Sequence, residues 1–245
     1  MKIKSLVLLL LIFTVSLFGA EDTPLINLSV AAVNEPAQFV KTINIAIILM
    51  LFVLAPTLLL MVTSFTRLII VFGLLRQALG LQQSPPNQII ISLSLILTFF
   101  IMEPYAKKAW ENGIDPYMKE TINYQVAFDE SVGPFKEFMI KNTREKDLAL
   151  FYRIKKQENP KNLEDISLTL LMPAFVVSEL RTAFEIGFLV FLPFLVIDII
   201  VASILMSLGM MMLPPVMISL PIKIIFFIII DGWHLIIGNL AQSFK

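Results

Sequence analysis

An uncharged run of twenty residues, 43–62, constrains the fold of this chain more than any other feature of its sequence. A helix of about 20 apolar residues crosses the hydrocarbon core of a bilayer and satisfies its backbone polar groups internally. Pro56 lies inside the run, where it removes a backbone hydrogen bond and predicts a kink. Further apolar runs cover residues 89–102, 187–208 and 216–230. We therefore expect an all-α membrane protein.

The composition excludes several classes of function. Hydrophobic residues make up 57% and charged residues 16% of the chain, against about 45–50% and about 25% in soluble domains. The 19 Lys and Arg balance the 19 Asp and Glu, so no basic excess predicts nucleic-acid binding. The chain has no cysteine and one histidine, which excludes thiolate catalysis and disulfides and leaves little histidine chemistry. We expect no catalytic, cofactor or metal site.

A charged segment interrupts the apolar runs. Between Glu103 and Asp165 lie 23 of the 38 charged side chains, eleven basic and twelve acidic. This pattern predicts a small water-facing helical domain, which is only marginally stable by itself and needs contacts with partners. The expected architecture is two helical hairpins with proline-kinked helices, residues 43–102 and 167–245, flanking a small helical extracytoplasmic domain, residues 103–166.

The amino terminus has the layout of a secretory signal peptide in residues 1–20. Two lysines precede an apolar run, and small residues end at Ala20. An uncleaved membrane anchor is the alternative. Residues 21–42 are typical of an external, periplasmic linker. With this leader, the first hairpin turn faces the cytoplasm, where Arg67 and Arg76 agree with the positive-inside rule, and the charged domain faces the periplasm.

Charges within the apolar runs need partners. Lys223 must face protein or water, because placing a lysine at the centre of an apolar helix costs roughly 2.5–3.5 kcal/mol. Asp198 and Glu179 are the natural partners, on the same chain or on another copy. The alternative is a proton relay through these intramembrane charges. The sparseness of titratable groups in the apolar runs favours structural pairing.

Three adjacent methionines, Met210, Met211 and Met212, precede the second of two Pro-Pro turns. Neighbouring residues point about 100° apart on a helix, so the three cannot all pack on one helix face. Methionine adapts to irregular shapes, and a ring of such loops would form a hydrophobic constriction. The alternative is ordinary packing against lipid or core. The two Pro-Pro turns indicate either related hairpins or the common reuse of this dipeptide in helical turns.

Several long blocks resemble the FliP family of flagellar type III export-gate subunits, in the same order and over nearly the whole chain after the leader. They cover residues 61–104, 136–151, 173–188 and 203–244 and include SFTRLIIVFGLLRQALG, KNTREKDLALF, PAFVVSELRTAFEIGF and LGMMMLPPVMISLPIK. The related injectisome subunits generally lack a cleaved signal peptide. The leader therefore favours the flagellar branch.

The resemblance implies a pore-forming core subunit of the export gate, which passes unfolded flagellar proteins across the bacterial inner membrane within the flagellar basal body. Members of the family assemble as a pentameric ring with FliQ and FliR, and work with other proteins of the flagellar export apparatus. In these assemblies the hairpins are lifted and splayed around a pore, so hydropathy predicts the order of insertion better than the final depth. The implied role is not enzymatic.

The resemblance also implies roles for particular residues. A methionine gasket at the pore constriction corresponds to Met210, Met211 and Met212. An intersubunit ion pair corresponds to Glu179 and Lys223. A segment involved in assembly and gate closure contains Phe138, Arg144 and Phe151.

Two other functions stay open. One is that of an injectisome export-gate homologue. The other belongs to a different class: a small-solute secondary transporter that uses Asp198 and Lys223 for coupling near the middle of the membrane.

Overall fold

The computed structural model describes residues 36–158, 160, 162, 165–210 and 213–244. All regular structure in these residues is helical, which confirms the all-α class. The chain divides into two compact units, one ending at Phe52 and the other beginning at Val53. The predicted signal peptide, residues 1–20, and most of the predicted linker lie outside the described residues.

The first helix, α1, spans Pro36–Met61 and contains nearly all of the first uncharged run. It begins seven residues before that run, inside the predicted linker. Proline fits the first turn of a helix because its missing N–H has no acceptor there. Pro56 lies inside α1. The portion Val40–Met61 is long and apolar enough to cross a membrane.

Helices α2 (Phe65–Ala78) and α3 (Asn87–Ala109) form a hairpin. The sequence placed the end of the second apolar run at residue 102, which is short for a membrane span. The helix instead continues through Glu103, Lys107 and Lys108, because glutamate and lysine are good helix formers and need only an exposed face. Together with the helical residues that follow, Asn87–Met118 forms a second candidate span.

The charged segment folds into a π-helical turn (Trp110–Ile114), a short helix α4 (Asp115–Met118), α5 (Tyr124–Asn142) and α6 (Glu145–Ile154). Asn123 caps α5, since its Oδ1 accepts from the Val126 backbone N–H at 2.9 Å. Helix α5 packs on α3, and both α5 and α6 pack on the long helix that follows. The segment therefore builds its contacts on the apolar helices of its own chain.

The carboxy-terminal part contains α7 (Leu168–Ser207), α8 (Pro215–Ile229) and α9 (Gly232–Gln242). Helix α7 has 40 residues and begins 19 residues before the apolar run 187–208 that the sequence analysis identified. It is the third candidate span, and the pair α8–α9, bent by 65°, is a possible fourth. Asp231 sits at the bend with a left-handed backbone, φ 50°.

Helix α2 packs along α7 and fixes the interior of the second unit. One apolar cluster is centred on Leu68, Phe72, Phe194 and Phe227, which come from α2, α7 and α8. The other is centred on Phe138 and Phe175, which come from α5 and α7. The α2–α7 contact thus forms part of the first cluster, and it also carries the buried Arg67–Glu179 pair described below.

Gly187 of α7 packs tightly against Leu74 of α2. A Cβ atom at Gly187 would lie 2.2 Å from Leu74 Cδ1 and 3.2 Å from Leu74 Cβ, both tighter than ordinary packing. Gly73, one residue before Leu74, has open space where its Cβ would be. The two glycines therefore differ in packing although both lie inside helices.

We predict opposite effects for alanine at these two glycines. Gly187→Ala lowers the free energy of unfolding by about 1–3 kcal/mol, because Leu74 must move out of a packed interface. Gly73→Ala raises it by about 0.5–1 kcal/mol through helix propensity alone. Thermal unfolding of the detergent-solubilised protein measures both. Equal stabilisation by both substitutions would show that α2 and α7 are farther apart than described.

Candidate functional site

Two clusters of buried charge lie among the apolar helices of the second unit. One contains Arg67 of α2 and Glu179 of α7, which are 2% and 0% exposed. The other contains Lys223 of α8, which is 2% exposed, and Asp198 of α7. Burying an ion is costly unless it is paired and hydrogen-bonded. The partners of these groups therefore decide how the helices sit on one another.

Arg67 is bonded to Glu179 through two nitrogens. Its Nε donates to Glu179 Oε2 at 2.8 Å, and its Nη2 donates to Oε1. This two-point contact matches the fork of the guanidinium to the carboxylate. Since the partners lie 112 residues apart in sequence, the contact sets the position of α2 along α7.

Arg67 also holds the carboxy-terminal residues and the end of α5. Its Nη1 donates to the backbone oxygen of Ser243 at 2.9 Å and to Ser243 Oγ at 2.8 Å. Its guanidinium carbon lies 3.9 Å from the centre of the Phe244 ring, a favourable cation–π distance. The Nη2 atom is 3.5 Å from Asn142 Oδ1. Arg67 therefore connects α2, α7, the end of α5 and the carboxy-terminal residues. We call this group of contacts the Arg67 node.

An aromatic cluster adjoins Arg67 through Phe244. Phe138 is fully buried, and its ring centre lies 5.1 Å from that of Tyr105, 5.8 Å from that of Phe175 and 6.0 Å from that of Phe244. Such ring contacts are favourable in edge-to-face and offset geometries. Phe244 stacks on Phe138 and also contacts the Arg67 guanidinium, so it links this cluster to the Arg67–Glu179 pair.

Lys223 and its hydrogen-bond partners form the second buried charge cluster, which we call the Lys223 node. Its Nζ donates to Asp198 Oδ2 at 2.6 Å and to the backbone oxygen of Ala78 at 3.1 Å. Ser219 Oγ donates to the other carboxylate oxygen, Asp198 Oδ1, at 2.5 Å. Helices α7 and α8 and the end of α2 are thus joined at one point. Of the two carboxylates that the sequence offered, Asp198 lies beside Lys223.

Glu179 and Lys223 are not paired with each other in the single chain, since each has the intrachain partner given above. Their pairing across subunits stays a prediction, and it would require both groups to exchange partners.

Arg67, expected as a loop charge that follows the positive-inside rule, is instead buried. The prediction that the first hairpin turn faces the cytoplasm therefore rests on Arg76 and the leader alone. Arg76 bonds to Asn87 Oδ1 at 2.6 Å.

Arg144 contacts α7 at Ser178, the residue that precedes Glu179 in sequence. The backbone N–H of Arg144 donates to Ser178 Oγ at 3.1 Å, and Ser178 Oγ donates to Asp147 Oδ2 at 2.6 Å. Phe151 is half-buried on α6. The structure places Phe138 in the core, Arg144 at the α5–α6 junction and Phe151 further along α6. Their role in assembly and gate closure stays a prediction.

Met210, the first residue of the predicted methionine loop, follows the carboxy-terminal end of α7. Met210 is 42% exposed, and it follows Gly209, whose φ of 72° turns the chain. Met211 and Met212 lie outside the described residues. Met210 lies twelve positions after Asp198 in the sequence, so it lies well beyond the Lys223 node along the hairpin. Met210 is therefore exposed near the end of a hairpin whose two helices are joined by the Lys223–Asp198 ion pair.

One ion pair in the charged segment lies on the surface, unlike the buried pairs described above. Lys141 Nζ donates to Glu137 Oε1 at 2.7 Å, and both side chains are exposed. The hydrogen bond from Lys141 lowers the pKa of Glu137, and the same bond raises the pKa of Lys141. Both groups therefore keep their charges at neutral pH. No cluster of His, Asp or Glu suited to a metal occurs among residues described by the structure.

The sequence analysis missed several residues that the structure brings to these nodes. Ser219, Ser243 and Phe244 carried no signal in hydropathy, because serine and phenylalanine are ordinary in apolar helices. Arg67 did carry a signal, because it is a lone arginine among apolar residues that recur at helical spacing. A buried cation needs an acid of opposite charge, and Glu179 was the acid that the sequence assigned elsewhere.

We predict that the stability of the fold depends on Arg67 and Glu179 being present together. Arg67→Met lowers the free energy of unfolding by about 3–5 kcal/mol, because it leaves a buried carboxylate without a partner. The double variant Arg67→Met with Glu179→Leu recovers much of that loss, since neither charge is then buried. Lys119→Met, which breaks an exposed pair with Asp115, has little effect and serves as the control.

Charge reversal tests the same contact against the intersubunit alternative. The intrachain geometry predicts that Glu179→Lys is rescued by Arg67→Glu and not by Lys223→Glu. Thermal unfolding and recovery of the assembled complex report the rescue. Rescue by Lys223→Glu alone would contradict the intrachain pairing as the dominant contact.

Comparison with known proteins agrees with the resemblance in the sequence. The FliP family profile matches residues 48–240. The flagellar biosynthetic protein FliP of Bacillus subtilis is 49% identical over 211 residues, which are 86% of this chain and 96% of that protein. The protein of the same name from Aquifex aeolicus is 45% identical over 230 residues, 93% of this chain and 95% of its own length. The chain belongs to the FliP family.

Proposed function

We propose that this chain is a non-enzymatic, pore-forming core subunit of the flagellar type III protein export gate. In this role it passes unfolded flagellar proteins across the inner membrane, within the flagellar basal body. The names of the similar proteins, flagellar biosynthetic proteins FliP, support the link to the flagellum. The three candidate spans, or four with the bent pair, support a place in the membrane. The main structural support for the proposal is the α7–α8 hairpin.

This hairpin combines a fixed base with an adaptable tip. The base is held by Lys223, Asp198 and Ser219, whose contacts satisfy the charges on both helices. The tip is exposed at Leu208, Met210 and Leu213. Methionine side chains are flexible and fit varied shapes, and a hydrophobic constriction resists water and ions. The arrangement suits a gasket of Met210, Met211 and Met212 that closes around a passing polypeptide.

The length of α7 supports assembly with other subunits. Large apolar side chains are exposed along this helix from Val177 to Met206, a distance of about 44 Å at the rise of an α-helix. The hydrocarbon core of a bilayer is about 30 Å thick. Even at a tilt of about 40°, the upper end of the observed range, α7 would project about 34 Å. Part of this apolar surface therefore needs protein to cover it.

Copies of the same chain and the small subunits FliQ and FliR are the partners that we propose for this surface. A closed ring of copies, pentameric by resemblance, places one methionine loop per subunit around a common axis. In this arrangement the charged segment is periplasmic, where Phe138, Arg144 and Phe151 couple α5 and α6 to α7 during assembly and closure. Other proteins of the export apparatus act on the ring.

A small-solute secondary transporter is the second candidate, with Asp198 and Lys223 as coupling groups. In the single chain these two groups satisfy each other, and Ser219 and the Ala78 carbonyl supply their further bonds. A coupling site needs groups that exchange their partners with a solute or ion. The contacts therefore favour a structural role for this pair. The flagellar names of the relatives likewise favour the flagellar gate over the injectisome homologue.

We predict that the methionine loop limits permeability. Replacing Met210, Met211 and Met212 together with alanine removes flexible side chains from the constriction and raises leakage of small ions and solutes in cells that still assemble the complex. Membrane potential and uptake of a small dye measure the leak.

Met217→Ala serves as the matched control, because this methionine is 72% exposed but lies on α8, outside the loop. It should leave permeability at the wild-type level. Unchanged permeability in the triple variant, with the complex assembled in normal amount, would rule out a gasket made by these residues.

A further inference from the structure

An exposed aromatic surface lies where α4 meets α5 in the charged segment. It contains Tyr117 of α4 and Tyr124 and Phe128 of α5, all three exposed. The ring centre of Tyr124 lies 6.4 Å from that of Tyr117 and 6.4 Å from that of Phe128, so the rings form one continuous surface. Aromatic side chains are enriched in protein–protein interfaces. We call these three residues the aromatic patch.

Gly113 keeps the elements that carry this patch close together. A Cβ atom at Gly113 would lie 2.7 Å from the backbone oxygen of Ala127 and 2.8 Å from the backbone nitrogen of Ser131. The π-helical turn that leads into α4 therefore packs directly on the backbone of α5. A surface built on elements that are already packed loses little conformational freedom when it binds a partner.

Acidic side chains without ion pairs accompany the aromatic patch. Glu120, Asp129 and Glu130 are exposed, and no ion pair to them occurs in the part of the chain that the structure describes. Lys119, the neighbour of Glu120, donates instead to Asp115 at 2.6 Å. This region therefore presents negative charge beside an apolar surface.

The outer face of α6 and the residues after it have the complementary character. Leu150 and Ile154 lie one helical turn apart and are exposed. Arg153, Lys155 and Lys156 are exposed as well, and within the described ranges none of the three forms an ion pair. An apolar pair is thus flanked by three cations. We call these five residues the basic patch.

The two patches do not satisfy each other within one chain. Helix α6 packs on α7, whereas α4 packs on the π-helical turn and on α5, and no ion pair between described residues joins the acids to the cations. Complementary surfaces on different parts of one chain favour a heterologous contact between copies, which generates a ring when the rotation closes. A contact between identical patches would bring like charges together, which is unfavourable.

We infer that the aromatic patch of one copy binds the basic patch of the next copy around the ring. This inference rests on the ring in the proposed function and names the surfaces through which the charged segments join. The aromatic rings cover Leu150 and Ile154, and the three acids face the three cations. The apolar contact supplies affinity, and the charges set the direction of the contact, since electrostatic complementarity contributes chiefly to specificity.

Cysteine cross-linking tests the contact without background, because the chain has no cysteine. Chains with Tyr124→Cys and chains with Ile154→Cys, which carry different tags, are expressed in the same cells, and the purified complex is oxidised. A disulfide-linked dimer that carries both tags is the expected result. Each variant alone is expected to give no cross-link, since identical patches do not meet.

Val126→Cys with Ile154→Cys is the matched control. Val126 is exposed but lies about 200° around the helix from Tyr124, so it should give no mixed dimer. A dimer formed by either site variant alone, or Tyr124→Cys linked to a different protein, would overturn the inference. So would the lack of a mixed dimer in complexes whose native mass shows the ring, whereas lack of the ring itself would contradict the proposed function.

Charge reversal gives a second readout. Asp129→Lys with Glu130→Lys is expected to lower recovery of the ring several-fold at low salt, and the further changes Arg153→Glu and Lys155→Glu are expected to restore it. The difference from the wild type should shrink at about 1 M salt, where the screening length is about 3 Å. All four positions are exposed, so thermal unfolding stays close to that of the wild type. Normal recovery of the ring in the first variant, or no rescue in the second, would contradict the contact.

Discussion

A charged side chain among apolar helices must find a partner of opposite charge, and this requirement organises the second unit of the structure. Arg67 reaches Glu179 on α7, and Lys223 reaches Asp198 on the same helix. Replacing a buried pair by apolar residues is often neutral in stability, whereas breaking it is costly. The pairs therefore act mainly by excluding other arrangements of α2 and α8 on α7. Gly187 permits the close approach that the pairs require.

The same constraint links the fold to the proposed gate. A loop that must deform during passage of a polypeptide needs a base that does not deform with it. The Lys223 node supplies that base for the α7–α8 hairpin, and the Arg67 node connects α7 to α5 and to the carboxy-terminal residues.

Much of the architecture could be predicted from the sequence, since long apolar runs have few folded forms in a membrane. The helical class was predicted and confirmed, and the family was identified from its motifs and confirmed by comparison. Helix boundaries were predicted less well. Hydropathy separates α7 at its charged residues, but Arg181 and Glu185 pair across one helical turn and leave the helix continuous. Charge on an exposed helix face does not end a helix.

The partners of the buried charges were only partly predictable. Lys223 was expected to need an acid, and Asp198 was one of two candidates because both lie in apolar sequence. Arg67 was placed in a loop, since hydropathy records where a charge lies along the chain but not which distant residue it meets. Its contacts with Ser243 and Phe244 come from tertiary packing, over a sequence distance of 176 residues in the case of Ser243. Such contacts have no local signal.

The mass and subunit content of the complex purified from its native membrane test the central claim, that this chain is one of several subunits around a pore. The account predicts a closed ring that contains several copies of the chain together with FliQ and FliR. In this proposal such neighbours cover the exposed apolar side chains of α7. A single copy that takes up a specific solute, with no other protein bound, would contradict the account and support the transporter.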